Sequence, residues 1–239
     1  VGAGRSVGRL PSYLAALQRE LGVGERIRVQ LSPRPSRAWF TERARDLIVG
    51  AGFQLQGRCI FRSERATATI ERIQSLPDSV GPDMRVLIVG LNPSPYSADS
   101  GIPYGRPGNR FWPAALGAGL VSQDRDVHHA FSSHHLGFTD FVRRTTRKAD
   151  EVSQSEFEAG FVRVSRLIEW LKPKVVCFVG RRPMTAGGLS GNRFRMRLGE
   201  IYMYKKFLMR NVTAVVYFPL VCIIVLVKLF LEILRAFNK

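Results

Sequence analysis

Two short apolar runs, each closing on a glycine, constrain this chain most. Val86-Leu-Ile-Val-Gly90 follows Arg85, and Val175-Val-Cys-Phe-Val-Gly180 follows Lys174. Runs this short, with no polar face, suit strands buried on both sides in a parallel sheet. Between them, residues 156–171 place Phe157, Phe161, Val164, Leu167, Ile168 and Leu171 at helical spacing, which predicts an amphipathic helix. A strand, a crossover containing a helix, and a second strand predict an α/β fold with parallel strands. The chain has 239 residues, room for one or two domains and a sizeable core. Its 45% hydrophobic and 23% charged content excludes wholesale disorder and low complexity.

The charge narrows the partner. Lys and Arg number 36 against 19 Asp and Glu, a net of +17. An excess of this size points to a polyanion, either nucleic acid or an anionic membrane. It is spread along the chain: +6 over residues 1–80, +6 over 81–200 and +5 over 201–239. A merely soluble basic surface therefore stays open beside nucleic acid. Cys59, Cys177 and Cys222 lie far apart, without metal or redox spacing, so a reducing, cytoplasmic compartment is expected. His128 and His129, and His134 and His135, are adjacent pairs. Helical neighbours do not share a face, so no metal is expected. A start at Val1 rather than Met is read as a missing natural N-terminus.

The remaining punctuation predicts a helix over Pro11–Leu21, a strand over Arg26–Leu31, and a helix over Phe40–Gly50 with Thr41 as N-cap. A strand over Phe53–Ile60 follows, then a turn-rich linker over Ser75–Pro82 and a helix over Asn109–Leu120. Val212–Val227 carries no charge, Lys228 interrupts it, and Leu229–Phe237 resumes; Pro219 lies inside. Three readings of this tail stand: a membrane helix, a buried strand and helix, or foreign sequence from a frameshift or misjoined gene. The last is preferred here.

Ligands of open α/β sheets bind beyond the carboxyl ends of the strands. The segment after Gly90 is long, rich in Pro and Gly, and offers Asn92, Ser94, Tyr96, Ser97 and Tyr104. Those groups suit a small planar polar ligand such as a base. The run from Gly90 to Trp112, GLNPSPYSADSGIPYGRPGNRFW, resembles the mismatch-specific uracil/thymine-DNA glycosylases of the uracil-DNA glycosylase superfamily. The likeness continues through Gly137–Thr146, Ala149–Ser153 and the strand ending at Gly180, over roughly residues 75–182.

The resemblance implies a three-layer α/β sandwich with a short, mainly parallel sheet, preceded here by a small α/β N-terminal appendage. It implies hydrolysis of the N-glycosidic bond of a uracil or mispaired pyrimidine flipped from double-stranded DNA, without metal or cofactor, by a monomer. The family asparagine matches Asn92, whose amide positions the attacking water. Thr146 matches the threonine that also holds it, and Tyr104 the aromatic that stacks on the base. Ser97 and Asp140 match positions that face the pyrimidine; at the second, some relatives carry Asn or Lys. Leu91 offers its backbone to the base, and Arg106 and Arg110 are the expected DNA contacts. Phe111 and Trp112 are read as core.

Two departures go with this likeness. The family's wedge loop, Pro-(Asn/Ser)-(Pro/Thr)-Ser-Gly, does not occur after Gly180. Arg37–Phe53, with the strand before it, resembles the closing part of a class I SAM-dependent methyltransferase, but the Gly-rich SAM loop is absent. The expected organisation is a methyltransferase-like fragment over 1–74, a glycosylase-like domain over 75–200, and an atypical tail over 201–239. Two other readings remain: a non-catalytic DNA-binding remnant, and a methyltransferase remnant or membrane-tethered protein. The expected location is cytoplasmic, on the nucleoid if the source is bacterial.

Overall fold

The structure, a computed structural model, describes residues 1–179, all within one compact unit. The expectations for residues 180–200, the tail 201–239, Pro219 and the wedge position lie outside the described residues.

The parallel sheet is built on β5 (Val86–Gly90), flanked by β6 (Leu136–Asp140) and β7 (Val175–Phe178) in the order β6-β5-β7. Every residue of β5 and β6 is buried. β7 differs from the buried strand its apolar run predicts. Its residues alternate between exposed and half-buried, because among the described residues it pairs on one side only, with β5. Helices α4 (Phe111–Gly117) and α5 (Val127–His134) cover one face, where Trp112, Ala115 and Ala130 pack on Val86, Ile88, Leu136 and Phe138. Helix α6 (Gln154–Leu171) lies on the other, its Phe157 against Phe141 and its Arg163 against Thr139. These are three layers, as the resemblance implied. Gly160 permits the close approach of α6: a Cβ there would strike the Phe141 carbonyl.

α6 begins at a capping box, Ser153 with Glu156, which satisfies end-on N–H groups from both sides. Phe157, Val164, Leu167 and Leu171 of the predicted stripe are buried, whereas Phe161 and Ile168 are half-buried.

The N-terminal part sets α1 (Leu10–Glu20) and α2 (Thr41–Gly50) against an antiparallel sheet. Its order is β1 (Arg26–Leu31), β4 (Arg65–Arg72), β2 (Phe53–Leu55), and β3 (Ile60–Arg62) also pairs with β4. Leu14, Val29, Leu31, Trp39, Ile48 and Ile70 form its core. Thr41 is not the N-cap of α2; Phe40 holds that position and no side chain caps the helix. The strand predicted over Phe53–Ile60 is two strands, since the chain turns at Gly57 with φ +92°. The linker expectation also changes. Ser79 exchanges both backbone hydrogen bonds with Phe138, at 3.0 and 2.8 Å, and the Asp78 N–H donates to the Gly50 carbonyl at 2.8 Å. Gln18 Nε2 reaches the Ser75 carbonyl at 3.1 Å. Residues 75–82 thus stitch both sheets together.

Candidate functional site

β5 and β6 end side by side at Gly90 and Asp140. The pairing runs on past the strands: Phe141 N–H donates to the Gly90 carbonyl at 3.1 Å, and Val142 N–H to that of Leu91 at 2.8 Å. Asn92 is thereby held beside the 144–148 loop. Its Nδ2 donates to Thr146 Oγ1 at 2.8 Å and to the Arg144 carbonyl at 3.1 Å. Thr146 Oγ1 in turn donates to the Lys148 carbonyl at 2.7 Å. A carbonyl partner can only accept, which fixes the amide's orientation. Its nitrogen faces its own loop, and Oδ1 is the atom suited to accept from a water. The two residues expected to hold a water, 54 positions apart in sequence, are in direct contact.

The 144–148 loop is itself braced. Arg144 pairs with Glu156, with NH2 to Oε2 at 2.9 Å, and donates to the Glu151 carbonyl at 2.6 Å. The Arg144 hydrogen bond, helped by those from Ser153, holds the Glu156 carboxyl down at about 2. Glu156 therefore both caps α6 and anchors the loop that carries Thr146. Neither Arg144 nor Glu156 was among the expected site residues. The Ser153-x-x-Glu156 spacing is a signal that could have drawn attention to the second.

Tyr104 and Asp140 converge over Gly90. A Cβ at Gly90 would run into Asp140 Oδ1 and come within 2.8 Å of the Tyr104 hydroxyl, so only glycine fits. Tyr104 sits at φ +56° with its ring stacked on Phe111 at 4.4 Å, and Phe111 meets Trp112 edge-on at 5.5 Å. Trp112 is fully buried, and Phe111 packs half-buried against the same core. Burial pushes the Asp140 carboxyl up to about 6, with Arg143 drawing it down and Asp78 raising it. Burial, then Asp140, raises the Tyr104 hydroxyl well above its ordinary range. Tyr104, Asp140, Arg143, Pro77 and Pro103 enclose a cavity of about 10 Å³, water-sized and far smaller than a pyrimidine.

The other expected residues are more dispersed. Ser97 is buried in α3 (Pro95–Ser100), where its N–H and hydroxyl both meet Ser94 Oγ at 3.2 Å as part of the helix cap. Leu91 is half-buried and its carbonyl accepts from the Val142 N–H. Arg106 and Arg110 are exposed on the approach to α4. Among the described residues, no group of three or more His, Cys, Asp or Glu is arranged to hold a metal. Two non-adjacent histidines meet instead: His129 and His134 both bring Nε2 to Ser122 Oγ at 2.8 Å. No helix among the described residues is long and apolar enough to cross a membrane.

The largest omission is a buried charge cluster behind the site. Asp78 Oδ1 accepts from Thr139 Oγ1 at 2.7 Å and Arg143 NH1 at 2.8 Å; its Oδ2 accepts from Arg163 NH1 at 2.7 Å. Arg163 NH2 donates to the Asp140 carbonyl at 2.6 Å and to Thr139 Oγ1 at 3.1 Å. All three charged side chains are only 6% exposed. They come from three separate segments and no local pattern links them.

Compared with known families, residues 77–221 match the model of the uracil DNA glycosylase superfamily. The match takes in Asn92, Tyr104, Asp140 and Thr146, and runs on past Gly180, where the motifs quoted above stop.

Proposed function

Because the chain belongs to the uracil DNA glycosylase superfamily, we propose that it releases uracil or a mispaired pyrimidine from duplex DNA, using a water held at Asn92. The observation that carries this is the Asn92–Thr146 hydrogen bond, which engages the amide nitrogen and makes Oδ1 the atom suited to accept from a water. A neutral amide is a weak base, so positioning does the work, together with stabilisation of the departing base as an anion. The glycosidic carbon takes up the water oxygen, the bond to the base breaks, the base leaves with the electron pair, and the proton shed by the water passes to solvent, from which the departed base is protonated.

The resemblance supplies the remaining roles. Tyr104 extends its stack with Phe111 onto the flipped base, Ser97 and Asp140 face the ring, and the Leu91 N–H meets a ring substituent. Flipping costs a few kcal/mol, less for a mispaired base, which favours mismatches. Arg106 and Arg110 take backbone phosphates beside the site.

Abasic-site formation by the full chain on duplexes carrying G·U, G·T or A·U tests this reading. Release from G·U at least tenfold above protein-free duplex is expected. A folded protein that binds duplex DNA salt-sensitively but releases no base would replace it with the binding-remnant reading. One observation favours that alternative: the family wedge loop is missing from the sequence after Gly180.

A further inference from the structure

Two arginines lie behind the pocket, yet neither donates to the carboxylate that faces it. Arg143 gives NH1 to Asp78, and its Nε and NH2 are buried without a partner among the described residues. Arg163 gives NH1 to Asp78 and NH2 to the Asp140 carbonyl and Thr139. Asp140 receives Arg163 at its main chain only, although Arg143 shares its cavity.

We propose that Asp78 is a positioning residue for the pocket: by engaging both arginines it keeps them off the Asp140 carboxyl and so governs whether that carboxyl carries a proton. The charges around Asp140 come from every side. Asp78 lies on the 75–82 segment, Arg163 on α6 and Arg143 just past β6; Tyr104 approaches from the loop, with Cys177 of β7 near it. Two arginines with one carboxylate leave a surplus positive charge beside Asp140. Burial is the main bias towards the protonated form, and Asp78 is the negative neighbour that offsets part of the arginines' opposing pull. A protonated carboxyl can donate to a pyrimidine carbonyl, whereas an ionised one can only accept. Asp78 would thereby influence which edge of a base the pocket receives, from a segment outside the loop motifs.

The link to a base rests on the proposed function, but the proposal itself is tested without activity. The Asp140 carboxyl is titrated by carbon-detected NMR in the full chain, with Asp140→Asn to assign it. The wild-type midpoint is expected at about 6. Asp78→Asn removes the negative neighbour and frees an arginine, so the midpoint falls by roughly one pH unit. Arg143→Gln removes a positive neighbour, so it rises. A purely structural role would destabilise both variants without moving the midpoint in opposite directions. An unchanged or raised midpoint in Asp78→Asn overturns the proposal. Should that variant not fold, an unchanged or lowered midpoint in Arg143→Gln does so. Failure of wild type to release any base would remove the proposed function and leave this titration standing.

Discussion

Asn92 and Thr146 meet through neutral groups, the first half-buried and the second buried, whereas Asp78, Arg143 and Arg163 meet as buried charges. Both clusters hang on the same two strand ends, at Gly90 and Asp140. A neutral hydrogen bond contributes about 0.5–1.5 kcal/mol net, so changes in the first cluster cost the fold little. A buried charge left without its partner costs about 3–5 kcal/mol, so the second is bound up with stability. The residues suited to act on a substrate and those that hold the fold are adjacent here but separable.

Substitutions separate the two clusters. The largest effect is expected for Asp78→Ala, which strands Arg143 and Arg163 in the interior; urea unfolding should show a loss of roughly 3–5 kcal/mol. A loss below 1 kcal/mol would mean that water already solvates the cluster.

Asp140 gives a dependence on pH. Its carboxyl is raised from an ordinary 3.8 to about 6 in the folded chain, so the folded state holds the proton more tightly. That contribution is fully present below pH 3.8 and is lost as pH rises through about 6. Unfolding measured across this window should lose part of its downward slope with pH in Asp140→Asn. An identical slope in the variant would remove Asp140 as its source.

Thr146→Val keeps the shape and deletes one orienting hydroxyl. Base release should fall about tenfold, equivalent to ~1.4 kcal/mol, with urea stability lowered by about 0.5–1.5 kcal/mol. The smallest effect is expected for Glu156→Gln, a solvent-facing partner of Arg144, at about 0.5 kcal/mol near neutral pH. The Glu156 carboxyl is lowered from 4.5 to about 2, so its contribution is present above pH 4.5 and disappears as pH falls through about 2. A variant difference that persists unchanged at pH 2 would contradict the ion-pair account.

Strands with one clear habit were readable from sequence. Arg26–Leu31 alternates, and Val86–Gly90 is apolar throughout; both are strands in the structure. β6 was not, because Leu136-Gly-Phe-Thr-Asp140 mixes polar residues into a buried strand. Thr139 can be buried there only because Asp78 and Arg163, distant in sequence, satisfy its hydroxyl. The same non-locality hid Asp78, which looks like one polar residue in a turn-rich stretch. Asn92 and Thr146 were named through resemblance; their contact depends on the parallel pairing of β5 with β6, which residue spacing does not reveal. His129 and His134 meet through Ser122, a residue that neighbour-by-neighbour inspection leaves out.

The central claim, that Asn92 acts on chemistry and not on folding or DNA affinity, is tested most directly by comparing wild type with Asn92→Ala. Single-turnover base release from a G·U duplex and affinity for an undamaged duplex are measured on the same preparations. Release is expected to slow by about 10²–10³-fold, with DNA affinity and urea midpoint nearly unchanged. Equal release rates in the two proteins would contradict it.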